Sequence, residues 1–408
     1  MDLSVQSILD NLLGEVWFEL TFLLVVSLFA GFLFSRFGQP RVIGYIVVGV
    51  IIGPSVLKII QAGEGGASGL PESIQMLAEL GSIVLLFMIG LECDLREIYT
   101  KKSIAIAIGG VLVPWGAGFL VAGAFGYGAD AVFVGATLVA TSVAVTATVI
   151  SELGLIGKPV AYAIVGAAVV DDILGMVVLG ISKGISAGTI DSSGLIMLVI
   201  GAVLFVSVGA WVGSKLLVRI VFDVQISGYR RKLPLSGFTL ALAIAFLYSF
   251  VAELIGISAI VGAFVAGTAF SGSALRDGFR KGMQYLEALF VPLFFVSLGV
   301  VVNVMDMVDT FWFMVALTAV AFATKIIGCG IPAKLVGMSS WDSLAVGIGM
   351  TPRLEIALII AYYGLSTGII GADLYSVVVA MGLLTAVFSP PLLKWALKKG
   401  GHDITAVG

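Results

Sequence analysis

Seven residues of this chain have types and spacings that could do chemistry away from water. Asp171 and Asp172 are adjacent within the apolar run "VGAAVVDDILGMVVLG" (165–180). Lys325, Arg353 and Glu355 lie in later apolar runs, and Thr141 and Ser142 in an earlier one. A carboxylate near a bilayer centre costs roughly 2.5–3.5 kcal/mol on insertion scales. Adjacent helical residues point about 100° apart, so the two aspartates do not share one environment. Lys325 is the available partner for one. A single buried ion pair needs one carboxylate, so the second has another task. It can hold a proton or a hard monovalent cation, with oxygen help from Thr141 or Ser142, but not both at once. Arg353 and Glu355 can neutralise each other or the ends of a broken helix, which makes them a structural ion-pair network.

The elements that position these residues follow from composition. The 408 residues are 60% hydrophobic and 12% charged, with mean hydropathy +1.15; soluble domains carry roughly 25% charge. Apolar stretches of about 20 residues, enough to cross about 30 Å of hydrocarbon, recur from end to end. They are continuously apolar rather than alternating, which disfavours a barrel. The expected fold is an all-α polytopic membrane protein of about 13 transmembrane helices. The spans read 16–36, 41–60, 74–92, 103–126, 130–152, 159–182, 193–221, 234–253, 255–271, 283–303, 309–335, 343–364 and 371–397. Asp2, Asp10, Glu15 and Glu19 precede or enter the first span, which therefore does not read as a cleaved signal peptide.

Charge asymmetry sets orientation. Of the 22 basic residues, 18 fall on one face and only Lys58 and Lys183 on the other; Lys325 and Arg353 lie inside spans. The basic face is expected to be cytoplasmic, with the N-terminus outside and the C-terminus inside, in the plasma membrane. The basic residues thus answer to the bilayer, and no nucleic-acid partner is expected. Cys93 and Cys329 fit neither a disulfide framework nor a metal motif, and no cofactor is expected. The one histidine, His402, lies in the tail (398–408), so a pH response within the membrane must come from carboxylates or lysine.

The two halves echo one another. "VIGYIVVGVIIG" (42–53) resembles "IVGAFVAGTAFS" (260–271), placing Gly44 and Gly49 over Gly262 and Gly267 at an offset of 218. "LLFMIGLECDL" (85–95) resembles "LFFVSLGVVVNV" (293–304), with Gly90 over Gly299 and Asp94 over Asn303 at 209, and Thr141 over Thr351 at 210. Five spans (41–182) thus correspond to five others (255–397). They begin on opposite faces, so the repeats are inverted, which is transporter architecture. Two spans are breakable. "LVATSVAVTATV" (138–149) is rich in hydroxyl residues, and "VGIGMTPRLEIALII" (346–360) holds Gly347, Gly349 and Pro352. Proline removes a helix hydrogen bond, and irregular backbone is tolerated where it lines a cavity.

"TSVAVTATVISELG", "GAAVVDDILG", the lysine of "ATKIIG" and "GIGMTPRLEIALII" together resemble the cation:proton antiporter superfamily, best the NapA/NhaA-like sodium/proton antiporters with an adjacent Asp-Asp pair. The resemblance covers essentially the whole chain. It implies a homodimer, with a scaffold at 1–92 and 234–303. It implies an ion-transport core at 103–182 and 309–397, a linker helix at 193–221, and two discontinuous helices that cross. It assigns cation binding to Asp172, pairing to Asp171 and Lys325, and the crossover polar pair to Thr141 and Ser142. The resulting expectation is electrogenic exchange of Na⁺ (or Li⁺) for H⁺ by alternating access. A potassium/proton antiporter is the nearest alternative; potassium-efflux relatives often carry Gln-Asp and a further cytoplasmic domain. A sodium-coupled organic anion symporter would want polar amides near the crossover, where this chain has mainly Ser and Thr. A channel is disfavoured by the Asp–Lys pair, and no nucleophile–base or metal constellation supports an enzyme.

Overall fold

Helices end in this protein where glycine, proline or a hydroxyl-rich turn interrupts an apolar run. In the computed structural model the described residues are 16–37, 39–54, 56–60, 72–93, 100–128, 131–187, 192–300, 310–366 and 369–404. They form α1 (Val16–Arg36), α2 (Arg41–Ile52), α3 (Glu72–Glu92), α4 (Lys101–Ala124), α5 (Ala131–Val139), α6 (Val143–Glu152), α7 (Pro159–Ala187) and α8 (Ser192–Val212). A five-residue π segment (Gly213–Leu217) joins α8 to α9 (Val218–Arg230). There follow α10 (Ser236–Ile255), α11 (Ala259–Phe270), α12 (Arg276–Val300), α13 (Phe311–Leu335), α14 (Ser340–Gly349), α15 (Glu355–Ser366) and α16 (Ala372–Lys399). Among the described residues, ten segments are long and apolar enough to cross a membrane, two more (α2 and α11) are shorter, and α14 with α15 completes thirteen passes.

Several expected spans differ in length: α12 begins at Arg276 rather than 283 and α7 runs to Ala187 rather than 182, and three others differ for visible reasons. The run 41–60 stops being helical at Ile52, because Gly53, the residue before proline, turns to an extended ψ of 179° and Pro54 has no N–H to continue the ladder. Its repeat mate is likewise a twelve-residue helix, Ala259–Phe270, N-capped by Ser258. The span 193–221 instead runs on to Arg230 with α9, whose Arg219, Asp223 and Arg230 carry it into the polar boundary.

Helix packing forms two groups. α1, α2, α3, α10, α11 and α12 pack on one another; α4, α5, α7, α13, α14, α15 and α16 form the second. α8 touches members of both, α10, α11 and α7. α6 bridges, meeting α7 and α16 on one side and α2 and α3 on the other.

The repeat is visible as duplicated contacts. Gly49 lies against Gly299 and the Val296 carbonyl, while its counterpart Gly267 lies against Gly90 and the Phe87 carbonyl. Each contact is the other with the repeat halves exchanged, as a two-fold relation requires. The correspondence also reaches one helix further than the apolar motifs indicated. Gly44 meets the Ala30 carbonyl of α1 and Gly262 meets the Tyr248 carbonyl of α10, again at the 218 offset. The Asp94 and Asn303 counterparts lie outside the described residues. Small residues let membrane helices approach until their backbones touch, and here they lock the first group together.

A Cβ at Gly90 or Gly267 would press on backbone, which cannot move aside, whereas one at Gly116 of α4 meets nothing within 4 Å. Gly90→Ala and Gly267→Ala should each destabilise by about 1–3 kcal/mol, lowering the thermal unfolding midpoint in detergent. Gly116→Ala should leave that midpoint unchanged or slightly raised.

Candidate functional site

α5 and α6 are one pass interrupted at residues 140–142, and α14 and α15 are one pass interrupted at 350–354. A helix that stops at membrane depth leaves carbonyls without partners, and hydrocarbon supplies none. The two interruptions satisfy each other. The Thr141 hydroxyl donates to the Met350 carbonyl at 3.1 Å, and the Thr146 hydroxyl to the Gly349 carbonyl at 2.5 Å. The Ser142 N–H donates to the Pro352 carbonyl at 2.6 Å, while its side chain caps α6 by accepting from the Val145 N–H. The segment 131–152 is buried throughout its most apolar stretch.

Arg353 is fully buried at this crossing. Its Nε donates to the Leu138 carbonyl and its Nη1 to the Thr351 carbonyl, both at 2.8 Å. Its own N–H is taken by Thr385 of α16 at 3.1 Å. One guanidinium therefore serves the C-terminal ends of α5 and α14, where helix dipoles concentrate negative charge. Nη2 has no hydrogen-bond partner among the described residues. Glu355 begins α15, but its side chain lies outside the described part of the structure.

Beside the crossing stands the charged pair. Lys325 Nζ donates to both Asp171 oxygens, at 2.9 and 3.0 Å, with both side chains fully buried. The Thr141 hydroxyl lies within hydrogen-bonding reach of the same carboxylate, and the Arg353 charge acts on it as well. Asp172 is 4% exposed on α7. One turn along the same helix, Met176 lines a cavity of about 730 Å³. That cavity opens between the two helix groups: Glu79, Ser82, Glu253 and Ser297 come from the first, Met176 and Leu358 from the second. Asp172 thus sits one turn beyond a residue that water or an ion in the cavity can reach.

The structure brings Asp171, Asp172, Lys325, Thr141, Ser142 and Arg353 into one region. Two contributors were not singled out from sequence as site residues. Thr146 is one of several hydroxyls in its run, and nothing local marks it as the partner of Gly349. Thr385 sits in "LLTAVFSPP" with no signal at all. Both cysteines are free and buried. Burial pushes the Cys93 thiol, just beyond the end of α3, up to about 12, so it is a packing residue and not a nucleophile.

Two interrupted helices crossing at mid-depth, a buried Asp–Lys pair and duplicated helix contacts define a membrane transporter rather than an enzyme. The chain belongs to the sodium/hydrogen exchanger family: the family model described as "Sodium/hydrogen exchanger, transmembrane" matches residues 23–399. It is 35% identical over 388 residues to the Na(+)/H(+)-K(+) antiporter GerN of Bacillus cereus, covering 93% of this chain and 96% of that one. It is 30% identical over 418 residues to the high-affinity Na(+)/H(+) antiporter NhaS3 of Synechocystis, covering 94% and 90%. Its fold is similar to that of the sodium proton antiporter MjNhaP1 of Methanocaldococcus jannaschii, with a TM-score of 0.68 at 17% identity and coverage of 96% and 98%.

Removing Lys325 would strand the buried Asp171 charge, and an uncompensated buried partner costs about 3–5 kcal/mol. Lys325→Gln should therefore lower the unfolding midpoint more than the double variant Asp171→Asn/Lys325→Gln does. Equal losses in a thermal unfolding comparison would show that the pair carries no such coupling.

Proposed function

We propose that the protein exchanges Na⁺ (or Li⁺) for H⁺ across the plasma membrane, and that the two ions compete for Asp172. The observation that carries this reading is the division of labour within the aspartate pair. The buried ammonium of Lys325 is committed to both oxygens of Asp171, while Asp172 lies a turn from the cavity lining. Taking a carboxylate out of water is costly unless its charge is offset, and Asp172 can take up either a proton or a hard cation but not both at once. GerN and NhaS3, both named as Na(+)/H(+) antiporters, support the cation class. GerN's name also includes K⁺, which favours a potassium/proton exchanger as the second reading.

Exchange proceeds by alternating access. The second helix group, carrying the crossing and Asp172, moves against the first, which forms the scaffold of a homodimer; α8 and α9 link them. The 730 Å³ cavity is the outward path, with Glu79 and Glu253 offering negative charge to arriving cations. The basic face is cytoplasmic. If Asp172 alone cycles, one proton is exchanged for one Na⁺ and no net charge moves. We assign a second proton to the Asp171–Lys325 pair, released when Na⁺ arrives, which makes transport electrogenic. Each net charge then draws roughly 2.3 kcal/mol from every 100 mV of membrane potential.

Proteoliposomes with an imposed pH gradient test the scheme. Adding Na⁺ should collapse the gradient in wild type and do nothing in Asp172→Asn, which keeps the volume but cannot alternate between proton and cation. Na⁺-dependent proton flux surviving in that variant rules out Asp172 as the exchange site; collapse with K⁺ alone selects the second reading. On supported membranes, wild type should give a transient current, and any active Lys325→Gln protein a reduced one.

Shared occupancy also dictates the pH dependence. On the acid limb, the apparent Na⁺ affinity should weaken about tenfold per pH unit for each proton released on binding, so about tenfold where Asp172 alone gives one up and up to about a hundredfold where the Asp171–Lys325 proton leaves as well. An affinity that stays level across that limb would be incompatible with competition at one carboxylate.

A further inference from the structure

At the end of the molecule opposite the 730 Å³ cavity, α6 reaches the start of α2. Pro40 stands at the N-cap of α2 and offers no side-chain hydrogen bond, so the first N–H groups of the helix need an outside acceptor. Glu152, the last residue of α6, supplies it. Its two carboxylate oxygens accept from the Arg41 N–H at 2.9 and 3.2 Å. The contact joins positions 111 residues apart and links the crossing helices to the scaffold group. Behind it, Ile43, Ile46, Val149, Ile150 and Leu153 are buried in one apolar cluster. The seam between the groups is closed here and open at the other end.

The charges facing Glu152 come from several elements. α2 contributes Arg41 and Tyr45, and α12 contributes Glu287. Glu92 of α3 and Arg280 of α12 act in turn on Glu287 and pair with each other at 3.0 Å. Arg276 of α12 donates to the Leu91 carbonyl. None of these groups belongs to the Asp171–Lys325 site.

We propose that Glu152 is a positioning residue of the exchange cycle. Its carboxylate, seated on the N-terminus of α2, holds the cytoplasmic seam closed, and this contact breaks whenever the site opens to the cytoplasm. The inference rests on the alternating-access reading above. A helix N-terminus attracts a charged carboxylate and not the neutral acid. Cytoplasmic acid that protonates Glu152 therefore loosens the seam, and alkaline conditions tighten it.

A cysteine reporter in the seam tests this without any transport. Val149 is buried and lies three residues before Glu152, on the same helical face. Val149→Cys is placed in inside-out vesicles free of Na⁺, and its modification by a membrane-impermeant maleimide is followed by mass spectrometry. Adding Glu152→Gln should speed labelling about two- to fivefold at about pH 8, the range expected for a lost charge–helix-end contact. The ratio of variant to parent should shrink as pH is lowered to about 4, below the ordinary glutamate pKa of about 4.3, because the parent's own Glu152 then takes up a proton. Equal rates at every pH, or a ratio that ignores pH, would overturn the proposal.

Cys329 is fully buried and reports on folding. If it is labelled too, Glu152→Gln has unfolded the protein, and Glu152→Asp, which keeps the charge but shortens the reach, is read instead. Faster labelling of Val149→Cys in that variant supports the contact, and a parental rate overturns it. The two readings fail separately. An intact labelling ratio in a protein whose Asp172→Asn variant still exchanges Na⁺ condemns the exchange site alone. Unchanged labelling with Asp172-dependent exchange condemns only the role of Glu152.

Discussion

A helix that ends halfway through a bilayer exposes carbonyls to a medium that cannot bond them, and much of this structure answers that constraint. Two passes end so, at residues 140–142 and 350–354. Each supplies donors for the other: Thr141, Thr146 and the Ser142 N–H reach across to Met350, Gly349 and Pro352. Arg353 gathers the Leu138 and Thr351 carbonyls. The interruptions are stable only as a pair, because either one alone would leave carbonyls stranded at a cost of several kcal/mol each.

The same geometry sets the electrostatics. The C-terminal ends of α5 and α14 both arrive at the crossing, bringing partial negative charge, and Arg353 and Lys325 bring positive charge beside two aspartates. In this setting a buried ion pair is better read as a means of fixing charge in place than as a source of stability. Lys325 fixes Asp171. The proposed antiport assigns the exchange of charge with an ion arriving from the cavity to Asp172.

Packing quality differs between the inside of each helix group and the seam between them. Within the first group, glycine brings backbones into contact at Gly49 against Gly299 and at Gly90 against Gly267. Such interfaces have no slack. Between the groups lies a cavity at one end and, at the other, a half-buried carboxylate on a helix terminus. Polar contacts of that kind can be remade in two arrangements, which the proposed alternating access requires.

Much of this was legible along the chain. Hydropathy alone defines the passes, since a run of about 20 apolar residues has few stable alternatives to a spanning helix. Pro352, with Gly347 and Gly349 before it, marks one interruption, because proline cannot donate in the helix interior. The adjacent aspartates stand out because their cost is local and large. The glycine motifs reveal the repeat, though its extension to α1 and α10 rests on contacts of Ala30 and Tyr248, residues with no likeness in type. Other features were invisible in one dimension. That Thr146 serves Gly349, that Arg353 turns to the carbonyl of Leu138, and that Glu152 caps a helix 111 residues earlier depend on which helices lie side by side. Hydropathy and helix propensity act over a turn or two, whereas these bonds form between passes whose spacing and depth are set by close backbone packing elsewhere in the molecule.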